Sequence, residues 1–451
     1  MSNEKTKKSL LYLKDIVILI LLLICCMLPL FRQFTCSLKF TIKNEYTILK
    51  VIGFIGIVFL IGYLISGLKK TDNSKKYLKN NLPIILFTIY MMWTLISCFM
   101  SPNKQNAFNG TDFRKDGYIS YIMYAGIFSL ALCLKSEQLK KILLNMFLLI
   151  AILGIIFIEI PKNGYLQNMF WQNDHVRGVF YNLNHYGYYL LIANAIAVFL
   201  FVTEEKILNK ILYCIAYTYL LCYLIINNTF GCYLALLGTL ILFLAISIIK
   251  KHNIKISLIT IGIFVFVTIF ANIFNNTTSQ NIKQLGLDLG SIVGATSSKE
   301  LENNNKETYM QAGSGRMEIW IDGLKFFANR PVLGYGPENL RPMYEADEID
   351  QDRPHNIIIQ QLTTSGLPGC ILYFTALGII ILKGLKSFNA KNSIYTVTLF
   401  NTIAYLISAM FGNSMYYTSP YFFIVLGLLM NEIIKVDNCE KGKEIGEIQR
   451  N

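Results

Sequence analysis

The sequence is poor in charge for its length. Only 15% of its 451 residues are Asp, Glu, Lys or Arg, whereas soluble globular domains contain about 25%. Hydrophobic residues make up 54% of the chain, and the mean hydropathy is +0.45. This composition excludes an ordinary water-soluble domain and favours a protein that lies within a lipid bilayer.

The sequence also lacks the alternation of apolar and polar residues that marks membrane β-strands. Because lipid leaves only helices and closed barrels as spanning structures, the apolar runs are predicted to be helices. A cleavable signal peptide is not expected, since the first run leads into Pro29 and Phe31 without a small-x-small cleavage site. We predict an all-α integral membrane protein with one polytopic domain, 1–451, and about twelve spans near the required length. The predicted spans are 16–31, 47–68, 82–100, 117–134, 142–160, 186–203, 208–226, 229–249, 256–274, 367–385, 394–411 and 418–434.

Lysine and arginine are scarce on one side of this layout. With a cytoplasmic N-terminus, the inner segments hold 24 Lys and Arg residues and the short outer loops hold 8. Positive charge is retained on the cytoplasmic side of a membrane protein, so both termini are predicted to be cytoplasmic and the chain to lie in the cytoplasmic membrane. Segment 275–366, between spans nine and ten, is then an extracytoplasmic loop. The net charge of +13 follows from this topology and requires no nucleic-acid partner.

Metal-site spacing is absent from the ten cysteines. Most of them lie inside predicted spans, where they act as small apolar residues. Asp350 and Asp352 match a metal-binding D-x-D pattern, but such short matches arise by chance in an acidic run. We therefore predict no metal site and no cofactor.

The loop 275–366 contains a polar cluster that indicates an anionic substrate. Apolar residues recur at helical spacing over 317–328, which predicts an amphipathic helix that Ser314 caps and Pro331 helps to end. Arg316 lies in its first turn, where the helix dipole disfavours a cation. A cation there indicates a nearby anion such as phosphate, which free helix N–H groups also bind. An exposed arginine, or one paired with a loop carboxylate, is the alternative.

His355 is predicted to lie at the N-terminus of a second helix in the loop. Pro354 suits the first helical position and Gly366 the C-terminal cap. At a helix N-terminus the dipole keeps an imidazole neutral, which is the form that a general base requires. Arg353 adds positive charge nearby. A histidine that only caps or packs is the alternative.

Two further clusters lie in predicted outer loops. Arg177 and Asn184 precede the sixth span, where an arginine at the membrane edge suits a phosphate headgroup. Arg114 lies just before the fourth span, in a polar segment with aspartates on either side. Ordinary interfacial anchoring is the alternative for both clusters.

Four motifs together resemble a known family. They are RGVFYNLN (177–184), SGR (314–316), the W…NRPVLGYGP segment (320–337) and PHN…GLPG (354–369). Their order and their placement among twelve spans resemble the O-antigen ligase and polymerase family. The resemblance implies an enzyme that moves a glycan from an undecaprenyl-diphosphate carrier to an acceptor hydroxyl on the outer face, without a metal and with inversion.

The resemblance also implies residue roles. Arg316 is implied to grip the diphosphate, and His355 to activate or orient the acceptor hydroxyl. Arg177 and Arg353 are assigned to diphosphate binding as well. Three polar side chains are candidates for further contacts with the donor or acceptor: Asn184, Arg114 and Asn356.

One departure from the family pattern matters. Many members carry Ser-Arg-Gly at the turn into the eighth span, whereas this chain has Thr229-Phe230-Gly231. Without this arginine, one of the positive charges expected to bind the phosphate is missing. Arg177 is the candidate that compensates for it.

Two other functions remain open at this point. A transferase that uses a polyprenyl-monophosphate sugar needs acidic residues in the first outer loop, where 32–46 offers only Glu45. A non-enzymatic lipid or glycan flippase needs charges at mid-span, and these are nearly absent. Within the family, ligase and polymerase are not separated. The expected partners are the lipid-linked glycan donor, an acceptor and the bilayer, with other polysaccharide-assembly proteins as further candidates.

Overall fold

The computed structural model describes residues 2–33, 38–70, 74–160, 177–180, 182–274, 283, 316–388, 392–412 and 415–448. These residues form helices joined by turns, and no strand occurs among them. The predicted all-α membrane architecture is confirmed. The helices are α1 (Ser2–Gln33), α2 (Leu38–Lys70), α3 (Ser74–Asn80), α4 (Leu82–Phe99), α5 (Lys104–Asn109), α6 (Tyr118–Cys133), α7 (Glu137–Glu159), α8 (Leu183–Thr203), α9 (Ile207–Ile226), α10 (Phe230–Ile249), α11 (Ile254–Phe274), α12 (Arg316–Asn329), α13 (Arg341–Ala346), α14 (Ile357–Lys386), α15 (Ser393–Ala409) and α16 (Ser419–Ile448).

Each predicted span overlaps one of these helices and extends at most two residues beyond its ends. Among the described residues, ten helices are long and apolar enough to cross a bilayer. The other two, α6 and α15, have 16 and 17 residues. At 1.5 Å per residue they extend about 24–26 Å, somewhat less than the usual hydrocarbon thickness of about 30 Å.

Contacts between connecting segments show that the spans alternate in direction. At one end of the bundle, Arg114 before α6 donates to Asp352 before α14 (2.8 Å). At the same end, His185 at the start of α8 lies 2.7 Å from the Tyr417 hydroxyl, before α16. The segments that enter α6, α8, α14 and α16 therefore meet at this end, which we call the site end.

Other connecting segments meet at the opposite end of the bundle. Lys141 at the start of α7 pairs with Glu204 before α9 (3.0 Å). The hydroxyls of Thr203 and Ser393 meet at 2.8 Å, which links the end of α8 to the start of α15. The two shorter helices α6 and α15 consequently run between the ends as the longer helices do.

α8 lies at the centre of the bundle. In its apolar window 94% of the residues are buried, against 22% in α2 and in α11 at the periphery. α8 packs on α9 and α15, and α6 packs between α2 and α16. α2 and α6 approach so closely that a Cβ on Gly126 would collide with the carbonyl of Gly53. Small residues permit this close packing of membrane helices.

α14 is broken at Gly366, whereas the sequence predicted that a helix ends there. Gly366 has φ 68° and ψ −177°, and the helical range continues to Lys386. The glycine-rich turn that follows α12 packs its backbone against the break, where Gly336 N–H donates to Thr364 O at 2.9 Å. A side chain at Gly366 would collide with the carbonyl of Val332. The glycine-rich turn after α12 and the glycine at the break in α14 therefore pack against each other.

One of the two helix starts predicted near the site agrees with the structure. α12 covers the predicted amphipathic segment, while its predicted cap, Ser314, lies outside the described residues. The prediction that Pro354 occupies the first position of the next helix is wrong, because α14 begins at Ile357. Asn356 is its N-cap: the side-chain oxygen accepts the backbone N–H groups two and three residues on, at 2.9 and 3.2 Å.

Candidate active site

A network of ion pairs joins distant segments at the site end. Arg114 binds Asp352 at 2.8 Å. Arg353 donates from Nη1 to Asp116 (3.3 Å) and from Nη2 to Glu338. The Arg353–Asp116 partners are 237 residues apart in the sequence. The network therefore fixes the segment before α6 to the segment before α14.

Arg353 is the buried centre of this network. Its side chain is 3% exposed, and its Nε lies 3.7 Å from Asp352. Burial lowers the pKa of its guanidinium to about 10, with Arg114 acting in the same direction and Asp116 opposing it. Because three carboxylates surround Arg353, its contacts favour holding the loop segments together. Its predicted part in diphosphate binding stays a prediction.

Asp116 and Glu338 are site residues that sequence reasoning misses. The hydroxyl of Tyr124 donates to Asp116 at 2.8 Å, and that of Thr111 donates to Glu338 at 2.7 Å. The available signal is that each carboxylate adjoins a motif already singled out, the Arg114 segment and the glycine-rich turn. Nothing in the local sequence reveals that Arg353 bridges them.

His355 lies one residue before the N-cap of α14, with φ 51°. Its Nε2 is 3.0 Å from Gln351 Oε1. Burial lowers the pKa of its imidazole to about 3, and the charges of Arg316, Arg114 and Arg353 act in the same direction. The ring is therefore neutral at neutral pH because of burial and the charge of the nearby arginines. A neutral ring that donates Nε2–H to Gln351 carries its basic lone pair on Nδ1.

Arg316 is the cation of this cluster that lacks a carboxylate partner among the described residues. It is the first residue of α12 and lies close enough to both His355 and Cys232 to act on them electrostatically. Cys232 belongs to the first turn of α10, close to Phe230, which stands where many members of the resembled family carry an arginine. Positive charge thus approaches that turn from α12.

The other predicted contact residues occupy the surroundings. Arg177 is exposed in the turn before α8, where its carbonyl accepts the N–H of Phe180 at 3.0 Å. Asn184 lies in the first turn of α8, and its N–H donates to the side chain of Asn182 at 2.8 Å. Asn356 is 6% exposed and serves as the N-cap of α14. Substrate contacts from these side chains stay predictions.

An apolar cavity of about 420 Å³ adjoins the ion-pair network. It lies between α2, α4 and α6 on one side and α14, α15 and α16 on the other. At the site end it is lined by Tyr118, Ile357 and Gln360. Leu64 and Ile84 line it near the ends of α2 and α4 that face away from the site. The cavity therefore runs along the bundle from the charged site toward the opposite end.

The aspartates of the D-x-D pattern take part in ion pairs. Asp352 faces Arg114, and Asp350 is a fully exposed side chain 4.0 Å from Arg341. Among the described residues, no group of three or more His, Cys, Asp or Glu side chains is arranged to hold a metal ion.

Comparison with known proteins agrees with this geometry. Residues 215–374 match the Wzy_C family model, described as O-antigen ligase. The matched segment contains Arg316, Arg353 and His355, and the described helices identify a multi-pass membrane protein. No curated protein matches the chain. The match agrees with the resemblance carried by the three motifs between 314 and 369, whereas the motif at 177–184 lies outside the matched residues.

Proposed function

We propose that this protein transfers a glycan from undecaprenyl diphosphate to an acceptor hydroxyl, as a surface-polysaccharide ligase or polymerase. One juxtaposition carries the proposal. Arg316, without a carboxylate partner among the described residues, lies near the neutral ring of His355, beside the end of a long apolar cavity. A cation, a base and an apolar groove suit a substrate in which phosphates join a sugar to a polyprenyl chain.

The cavity suits the polyprenyl part of the donor. Its lining is mostly aliphatic and aromatic, and it extends from the site end toward the far end of α2. Ile61 of α2 lines the cavity and is also 52% exposed on the outside of the bundle. A lipid chain can therefore enter sideways from the bilayer past α2, while its diphosphate stays at the site end.

The charged residues suit the transfer step. The bond between the sugar C1 and the diphosphate oxygen breaks, and C1 bonds to the acceptor oxygen. The electron pair of the broken bond goes to the diphosphate, where the planar fork of Arg316 holds two oxygens and stabilises the growing charge. The acceptor proton goes to Nδ1 of His355. Attack opposite the leaving diphosphate inverts the configuration at C1, and the arginine supplies the charge stabilisation without a metal.

The low pKa of His355 belongs to the substrate-free protein. The charges of Arg316 and its neighbours hold that pKa down, in addition to burial. A bound diphosphate places negative charge beside the same arginines and therefore raises the pKa. Donor binding thus makes His355 a stronger base at the moment when the acceptor hydroxyl must lose its proton.

The site end is proposed to face outward, with both termini in the cytoplasm. The short loops on the side of the site end, counted without the long loop 275–366, hold 8 Lys and Arg residues, against 24 on the other side. The two alternative functions find less support. Glu45, the acidic residue that a monophosphate-sugar transferase would need in the first loop, pairs with Arg32 at 2.7 Å. That ion pair also stands at the ends of α1 and α2 rather than at mid-span, where a flippase would need charge.

The proposed function is tested by comparing two lipid-linked glycan donors. The full chain is reconstituted in lipid nanodiscs with a glycan linked to undecaprenyl diphosphate, or with the same glycan linked to undecaprenyl monophosphate. We expect consumption of the diphosphate donor only, with release of undecaprenyl diphosphate and growth or transfer of the glycan. The same rate is expected in a chelator. Consumption of the monophosphate donor would contradict the proposal, as would transport of the intact diphosphate donor across vesicles without chemical change.

A further inference from the structure

We propose that His185 is a further catalytic residue of this site and that its Nε2–H donates a hydrogen bond to the diphosphate oxygen that leaves the sugar. The inference rests on the proposed glycan transfer. It assigns a chemical role to a histidine of α8, outside the loop that carries Arg316 and His355.

His185 is held in one orientation. It lies in the first turn of α8 and is 3% exposed. Its Nδ1 is 2.7 Å from the hydroxyl oxygen of Tyr417, and the two rings meet edge to face at 5.3 Å. The described residues make no other hydrogen bond to His185. When the Tyr417 hydroxyl donates to Nδ1, the ring proton is on Nε2, which becomes a hydrogen-bond donor.

The ring of Tyr417 is itself fixed by a buried cation. The guanidinium of Arg32 lies 4.8 Å from the ring centroids of both Phe180 and Tyr417. Its Nε donates to both carboxylate oxygens of Glu45, at 2.7 and 2.8 Å. A buried ion pair adds little net stability, so its benefit here is positional. It fixes the aromatic ring that orients His185.

His185 shares its surroundings with the candidate active site. It lies close enough to Arg114, Arg353 and His355 to interact with them electrostatically. The Tyr417 segment also contacts Arg114 directly, because the sulfur of Met415 is 3.8 Å from Arg114 Nη1. His185, at the start of α8, and His355, just before α14, therefore lie near the same charged residues.

The proton balance favours a donor role for His185. Transfer releases one proton, from the acceptor hydroxyl, and His355 takes it. The electron pair of the broken C1–O bond arrives on a diphosphate oxygen, where a preorganised N–H donor stabilises it. If His185 were a second base, no proton would be left for it to remove. As a second hydrogen-bond donor, it complements the guanidinium of Arg316 at the leaving diphosphate.

Substitutions separate this role from packing. In His185→Gln, the side-chain amide nitrogen reaches close to the former Nε2 position and keeps an N–H donor. His185→Ala removes the donor, and Tyr417→Phe removes the hydroxyl that sets the ring proton. His252 lies in the turn between α10 and α11, at the opposite end, so His252→Ala is the matched control.

The measurement is single-turnover release of undecaprenyl diphosphate from the glycan donor in nanodiscs. We expect a loss of about 10²-fold in the single-turnover rate constant of His185→Ala, as for removal of one oxyanion donor, with a smaller change in donor affinity. His185→Gln retains most of the rate, Tyr417→Phe is intermediate, and His252→Ala equals the wild type. The acid limb of the pH profile stays unchanged in His185→Gln, because His355 is the base.

Two results would overturn the role of His185. One is a wild-type rate in His185→Ala. The other is equal loss in the Ala and Gln variants together with a lowered thermal midpoint, which indicates packing. If the wild-type protein itself leaves the donor unconsumed, the proposed glycan transfer fails, whereas an active wild type beside an active His185→Ala refutes this inference alone.

Discussion

Arg316 offers the sharpest test of the site, because it is the cation of the cluster that no described carboxylate neutralises. In Arg316→Gln the developing charge on the diphosphate loses its main fixed partner, and we expect kcat to fall by about 10²–10³-fold. Arg316→Lys keeps the charge but loses the planar fork. Loss of one charge-assisted hydrogen bond, worth about 1.5–3 kcal/mol, leaves this variant about 10–100-fold impaired.

The same substitution has a second effect that can be measured. Arg316 is the foremost of the three arginines whose charge lowers the pKa of His355. Its removal in Arg316→Gln raises that pKa. The acid limb of kcat/KM, which reports the substrate-free enzyme, therefore moves to higher pH than in the wild type.

The assay compares initial rates of donor consumption in nanodiscs at equal protein content. Arg341→Gln is the matched control, since Arg341 belongs to the same loop, is 60% exposed and pairs with Glu345 at 2.6 Å. We expect the control to keep wild-type rates. Wild-type turnover in Arg316→Gln, or equal losses in the two variants, would refute the assignment of Arg316 to the diphosphate.

Three further expectations follow from the site and the topology. His355→Ala lowers glycan transfer by about 10²–10⁴-fold with normal protein level and membrane insertion, and near-normal product in cells would return His355 to a packing role. Because the pKa of His355 in the substrate-free protein is about 3, its protonation does not reduce wild-type kcat/KM between pH 5 and 8. The acid limb of kcat, which reports the donor complex, is expected at higher pH than that of kcat/KM, and coincident limbs would contradict the effect of the diphosphate on this pKa. The topology is tested with a membrane-impermeant thiol reagent in a background without native reactive thiols. We expect Ala346→Cys to be labelled in intact cells and Lys206→Cys to be labelled only after lysis. The reverse pattern would show that the proposed topology is inverted.

The spans could be predicted from the sequence because each depends on a local property. A run of about 20 apolar residues forms a spanning helix because of the bilayer, whatever helices lie beside it. Even α6 and α15, the two short helices, appear among the predicted spans. The amphipathic helix α12 was also readable, since its spacing is a property of 14 consecutive residues.

The site could be predicted only in part, because its partners are distant in the chain. Arg316 and His355 were found from their positions beside helix starts. Asp116 and Glu338 were missed, because the residue that joins them, Arg353, is 237 positions from one of them. The start of α14 was misplaced for a local reason: Asn356 caps the helix with its side chain, and His355 before it takes a left-handed backbone that no helix accepts.

The ion pairs between distant segments determine when the candidate site can assemble during synthesis of the chain. Arg114 is translated 238 residues before Asp352, which at a ribosomal rate of about 5–20 residues per second is a delay of roughly 10–50 s. Tyr417 follows later still. Until Tyr417 has been added, His185 lacks the hydroxyl that holds its ring. A partly synthesised copy therefore lacks the complete candidate site, and on the proposed function it leaves lipid-linked glycans unchanged until Tyr417 has been added.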